Sequence, residues 1–180
     1  LLAACRPADD AAKQGGAASD GTPRVGEAPI PQIVSKEGRH ALMVDGAPFL
    51  ILGAQVNNSS NWPQALDDVW PAIDVVKPNT VMVPVAWEQV EAKEGTFDFS
   101  FVDELLTQAR GKDVRLILLW FATWKNNGPN YAPAWVKLDN ARFPRVITAD
   151  GRTLNSLSPH AQATLEADRK AFVALMTHLK

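Results

Sequence analysis

Trp87, Glu88, Glu91 and Glu94 crowd one short stretch of a 180-residue chain, WEQVEAKE, and are the residues best equipped for chemistry. Carboxyl groups serve as general acid, base or nucleophile when two of them reach one bond from different sides. Carboxylates three residues apart on a single loop rarely do so. Glu91 and Glu94 therefore read as residues that shape the loop and face water. Glu88 stands apart, because it follows directly on a strand and shares that strand's end with Trp87. Six tryptophans form a second candidate set. A ring packs against the apolar face of a ligand such as a sugar, while polar neighbours bind its hydroxyls. Trp87, Trp120 and Trp124 fall at or just beyond strand ends and suit that role. Trp70 lies on a helical stripe and reads as core; Trp62 and Trp135 read as staples of their loops. Gln55, Asn57 and Asn58 place polar groups in the same layer, with capping of their own loop as the equal alternative. His40, His160 and His178 are scattered without metal-ligand spacing. The chain also has no nucleophile elbow, phosphate loop or dinucleotide fingerprint, so neither metal nor cofactor is expected.

The elements that must position these residues alternate. Ile33-Val34 and His40 to Val44 predict short strands, with Glu37-Gly38 and Asp45-Gly46 as turns of a small hairpin. Pro48 to Gly53 predicts a continuous apolar strand. Pro63 opens a helix with Leu66, Val69, Trp70, Ile73 and Val76 on one face, and Pro71 predicts a kink in it. Thr80 to Val85 is an apolar, β-branched run of the kind buried on both faces of a parallel sheet. After a turn at Gly95, Asp98 or Ser100 caps a second helix with Val102, Leu105, Leu106 and Ala109 on its stripe, ending at Gly111. Val114 to Leu119 predicts a third buried strand. The stretch from Trp120 to Ser158 is long for a loop and reads as functional or disordered, with Trp124 to Gly128 as a rim. A last helix from about Pro159 carries Leu165, Phe172, Val173, Met176 and Leu179.

This order predicts an α/β fold with parallel strands joined by right-handed crossovers. Its ligand site then lies at the carboxyl ends of the strands, where Glu88 falls. A (β/α)8 TIM barrel needs roughly 250 residues. Three βα units and an end in mid-pattern at Thr177 to Lys180 fit the N-terminal part of such a barrel better than a small open sheet.

Composition bounds the rest. The chain is 46% hydrophobic and 21% charged, with 18 basic and 20 acidic side chains, enough for one core. A net charge of −2 leaves no electrostatic footprint for nucleic acid and no basic face for anionic lipid. Residues 1–31 are rich in Ala, Gly, Pro and Asp and read as a disordered leader and flexible linker; residues 32–180 read as the folded domain. Cys5, after Leu2-Ala3-Ala4, resembles a bacterial lipobox, which implies a truncated signal peptide, lipidation of Cys5 and a lipid anchor. The expected location is the bacterial cell envelope, on the membrane of the periplasm or outer membrane. A single cysteine excludes an internal disulfide, no segment is apolar enough to span a bilayer, and nothing signals an oligomeric state.

From about Arg39 to Lys180 the motifs resemble the start of the barrel in bacterial β-galactosidases of glycoside hydrolase families 35 and 42. The resemblance rests on Asp45-Gly46-x-Pro48-Phe49 leading into Ile51-Leu52-Gly53-Ala54-Gln55, on Asn79-Thr80, and on Val83-Pro84-Val85-x-Trp87-Glu88-x-x-Glu91. Glu94-Gly95-x-Phe97-Asp98-Phe99 and Tyr131-Ala132-Pro133-Ala134-Trp135 add to it. It implies a retaining glycosidase acting on terminal β-galactosides or related β-glycosides, with an oligosaccharide or glycoside as substrate. It also implies that Glu88 contacts sugar hydroxyls, at a position where family 35 typically carries Asn. Such enzymes place their acid/base at the end of the fourth strand, usually in an Asn-Glu pair, and their nucleophile at the end of the seventh. No Asn-Glu pair occurs here, so the catalytic pair is expected beyond residue 180 and this chain alone is expected to be inactive. A noncatalytic, carbohydrate-binding envelope lipoprotein is the competing expectation.

Overall fold

The computed structural model describes residues 2–3, 29–126 and 128–180. Cys5 and nearly all of the leader lie outside them. Leu2–Ala3 form a two-residue strand, β1. A small antiparallel sheet follows, made of β2 (Gln32–Lys36), β3 (Arg39–Val44) and β4 (Ala47–Pro48). Its turns are the expected ones. Glu37-Gly38 and Asp45-Gly46 all have positive φ, the backbone a two-residue hairpin turn needs to match strand twist.

The main unit alternates β5 (Gly53–Gln55), α1 (Pro63–Val76), β6 (Thr80–Ala86), a single turn α2 (Trp87–Val90), α3 (Ser100–Gly111) and β7 (Arg115–Phe121). Beyond β7 come the short α4 (Ala134–Lys137), the hairpin β8 (Arg145–Ile147) and β9 (Thr153–Leu157), and α5 (Gln162–His178). The sheet order is β1-β7-β6-β5, with β5, β6 and β7 parallel and β1 antiparallel on the edge. Ala54, Val81 and Leu116 stand in register and pack with the helices, together with Val83, Val85 and Leu118. Leu66, Trp70 and Ile73 of α1, Val102 and Leu105 of α3 and Leu175 of α5 complete that core. Each such burial contributes roughly 1.5–3 kcal/mol, so β6 at the centre of the sheet is the strand the rest condense on. By the alternation of strand side chains, Gln55, Met82 and Ile117 occupy the opposite face.

Three expectations need correcting. Pro48 to Gly53 is not one strand: residues 49–52 are irregular, and Leu50 and Leu52 are exposed. One amide side chain stands in for a neighbouring strand there. Asn79 Oδ1 accepts from the Leu52 N–H at 2.9 Å, and Asn79 Nδ2 donates to the Leu50 carbonyl at 2.8 Å. By contrast α3 ends at Gly111 as expected, and the chain turns away through Asp113, at φ 52°. The stripe of α5 is also one position away from the expected one. Thr164, Ala171 and Leu175 are buried, whereas Leu165 and Val173 are half exposed. Finally, the long stretch after β7 is folded around its own apolar cluster of Ala122, Ala132, Val136, Phe143 and Leu157, which meets Trp87 and Ala171. Pro71 lies inside α1, which is helical on both sides of it from Pro63 to Val76. Among the described residues no helix is long and apolar enough to cross a membrane.

Candidate functional site

The carboxyl ends of β6 and β7 lie side by side, Ala86 against Phe121, whereas β5 stops at Gln55 beside Met82, lower on the sheet. The segments that leave them are tied together by polar side chains. Val56, just past β5, donates its N–H to the Met82 carbonyl at 2.9 Å. Gln89 of α2 folds back to the end of β6. Its Oε1 accepts from the Ala86 N–H at 3.0 Å and from Asn61 Nδ2 at 3.3 Å, while its Nε2 donates to the Asn61 carbonyl. Gln89 thus clamps the β5 loop onto α2, a task no motif in the sequence announces.

Glu88 emerges on the first turn of α2. Its N–H donates to the Tyr131 carbonyl at 2.9 Å, so the segment after β7 fixes its backbone. Its carboxylate accepts from Lys137 Nζ at 2.8 Å, with both side chains a little over a quarter exposed. Lys137 also donates to the Asn130 carbonyl at 3.4 Å. The Tyr131 ring sits 5.0 Å from that of Phe121, the last residue of β7, and its hydroxyl donates to the Asn58 carbonyl at 3.4 Å. Lys125 Nζ lies 4.6 Å over the Phe121 ring. This end of the sheet therefore gathers a partly exposed carboxylate, two ammonium groups and a tilted pair of aromatic rings.

The tryptophans separate into different environments. Trp124 is 59% exposed, just beyond β7. Trp87 is fully buried: its ring meets Trp135 edge-on at 5.7 Å, and its Nε1 donates to Glu91 Oε2 at 2.8 Å. It lies inside the wall and presents no open face. Trp120 belongs to β7 and faces the helices, 6.1 Å from Phe172 on α5. Its Nε1 donates to Asp168 Oδ1 at 2.8 Å, and Asp168 also accepts from the Thr123 N–H at 3.3 Å and from the Thr123 hydroxyl. Gln55 is exposed on the sheet face opposite the helices. Asn57 caps its own loop, its Oδ1 accepting from the Ser59 N–H at 3.0 Å and hydroxyl at 2.9 Å.

The remaining carboxylates of the opening motif are structural. Glu91 is only 1% exposed and accepts from Trp87 Nε1 and, at 2.7 Å, from the Gly95 N–H. It faces the interior, where the sequence reading had it facing water. Glu94 makes a two-pronged pair with Arg142, at 2.6 and 2.8 Å. The Arg142 hydrogen bond holds the Glu94 carboxyl below its ordinary range, and the same contact raises Arg142. Among the described residues no group of three or more His, Cys, Asp or Glu is placed to hold a metal ion.

A scan of the sequence against family models finds no match, and a search of curated proteins finds none either. Solved structures do match. One is an exo-β-1,4-mannosidase, Op5Man5 from Opitutaceae bacterium strain TAV5, 21% identical to this chain with a TM-score of 0.51. The match covers 75% of this chain and 23% of that one. The likeness is one of fold. This chain spans less than a quarter of the mannosidase it matches.

Proposed function

We propose that the chain is the N-terminal part of a (β/α)8 glycoside hydrolase, and that the carboxyl end of its parallel sheet forms part of the sugar site. The parent hydrolyses β-glycosides, terminal β-galactosides being the class the motifs favour, with retention of configuration. Glu88 is the residue that carries this reading. Its carboxylate is partly open directly beyond the end of β6, where its N–H is held by Tyr131, whose ring meets that of Phe121. Trp124, exposed just beyond β7, and Gln55, exposed at the end of the shorter β5, are the ring and amide that complete the contact. The fold shared with a mannosidase supports a sugar ligand without choosing which sugar.

The acid/base and nucleophile of the parent lie on strands beyond those described here. Glu91 is buried and engaged by two donors, and Glu94 is engaged by Arg142. Those engagements favour a second reading for this chain alone, a domain that binds carbohydrate without cleaving it. The test is to assay the longest polypeptide encoded by the reading frame on p-nitrophenyl β-galactoside, β-mannoside and β-glucoside. The anomer formed first is followed by NMR. Hydrolysis with retention supports the enzyme. Binding without turnover supports the second reading, and neither binding nor turnover removes both. Cys5, outside the described residues, is proposed as a lipid anchor; with a signal peptide upstream, Cys5→Ser should move the protein out of the membrane fraction.

A further inference from the structure

We infer that Lys137 and Glu88 act together as a reader of vicinal diols, Lys137 being a direct sugar contact and not merely a counter-ion. The inference rests on the sugar-site reading above and extends it to a residue that no motif marked. An ammonium group has three donors and no acceptor, whereas a carboxylate only accepts. Lys137 Nζ spends one donor on Glu88 Oε2 at 2.8 Å and another, weakly, on the Asn130 carbonyl at 3.4 Å. Its remaining donor and the second oxygen of Glu88 are thus set side by side at a partly open position.

That arrangement has a complement. Two gauche hydroxyls on neighbouring ring carbons place their oxygens about one hydrogen-bond length apart, matching the spacing of the carboxylate and ammonium. One hydroxyl donates to Glu88 while its neighbour accepts from Lys137. Both bonds are charge-assisted, hence shorter and stronger than neutral ones. The pair is neutral as a whole, so it suits an uncharged glycoside; a uronate would set its carboxylate against Glu88. The geometry is held from behind. The Glu88 N–H is bonded to the Tyr131 carbonyl, and Arg145 Nη2 donates to the Lys137 carbonyl at 2.5 Å. Both partners therefore start from fixed backbone, which limits the ordering that binding must bring about.

The test uses the longest polypeptide encoded by the reading frame. Methyl β-D-galactopyranoside and methyl β-D-mannopyranoside are titrated by ligand-observed NMR, and the monodeoxy analogues of whichever binds follow. Lys137→Met should weaken binding about tenfold or more, the scale of one charge-assisted hydrogen bond. The loss should disappear for the single deoxy analogue that lacks the hydroxyl accepting from Lys137. Lys137→Arg, which keeps a donor, should recover part of it. An equal loss for every deoxy analogue would show that Lys137 only shapes the site and would overturn the inference. Unchanged affinity in Lys137→Met, with Trp124→Ala weakening binding, would leave the sugar site standing and remove Lys137 from it. If a folded wild type binds neither glycoside, the sugar-site reading fails and this inference fails with it. Should Lys137→Met not fold, the same deoxy comparison on Lys137→Arg decides, since a sugar-contacting arginine still shifts one analogue more than the rest.

Discussion

Replacing Glu91 separates a structural carboxylate from a catalytic one. Its two oxygens each accept one hydrogen bond, from Trp87 Nε1 at 2.8 Å and from the Gly95 N–H at 2.7 Å. The side chain is 1% exposed, so water cannot replace it without entering the wall. Glu91→Ala strands both donors. A buried donor left unsatisfied costs about 1–3 kcal/mol, and loss of the side chain adds a void beside Trp87. The total should reach roughly 3–5 kcal/mol, or a fall in melting temperature of roughly 6–20 °C for a chain of this size. Glu91→Gln keeps the shape and one acceptor but turns an NH2 toward the other donor, so it should cost about 1–3 kcal/mol. Urea unfolding of the three proteins, with the slope held common, measures both values. If Glu91→Ala unfolds within about 0.5 kcal/mol of wild type, the range of an ordinary surface change, the two hydrogen bonds do not hold the turn. Glu91 would then have to be reconsidered as a residue kept for chemistry.

Asp168→Ala should destabilise by about 2–4 kcal/mol, because it leaves Trp120 Nε1 and Thr123 unpaired where α5 meets the end of β7; urea unfolding checks it. Arg142→Ala should cost only about 0.5 kcal/mol, since the pair with Glu94 is nearly half exposed and screened by water. Its pH dependence has a definite sign. The folded-state pKa of Glu94 lies below the ordinary 4.5, chiefly through the Arg142 hydrogen bond. The difference between wild type and Arg142→Ala should therefore be full above pH 4.5 and vanish as the pH falls through the lowered value. Leu50 and Leu52 sit exposed beside β5, an edge strand of the sheet. Leu50→Lys with Leu52→Lys should reduce aggregation, measured by light scattering, without lowering the unfolding free energy by more than about 0.5 kcal/mol.

Much of the fold was legible because it follows from local rules. Two Gly-containing pairs demanded hairpin turns, and the turns are there. The β-branched run at residues 80–85 could only be buried on both faces, and it became the central strand. Trp70 on its apolar stripe was core by periodicity, and it is buried on α1. Placing Glu88 at the end of that strand needed no tertiary information either, since a strand that stops at Ala86 must put residue 88 at its mouth.

What the sequence could not decide is what each side chain meets. Periodicity counts apolar residues, so it missed the buried face of α5, which carries Thr164 and sets Asp168 against the end of β7. It also missed that Trp120 faces the helices, because the strand runs on to Phe121 and the alternation fixes which face residue 120 takes. Trp87 looked like a platform at a strand end. It is buried because a folded segment dozens of residues later brings Trp135 and Phe143 over it. Glu91 looked like a water-facing loop residue until Trp87 and Gly95 turned both their donors toward it. The pairing of Glu88 with Lys137 joins residues 49 positions apart. The sequence determined which residues stand at the mouth of the strands. Only the packing of the long segment after β7 decided which of them stay open, because burial depends on contacts between distant residues that no local pattern encodes.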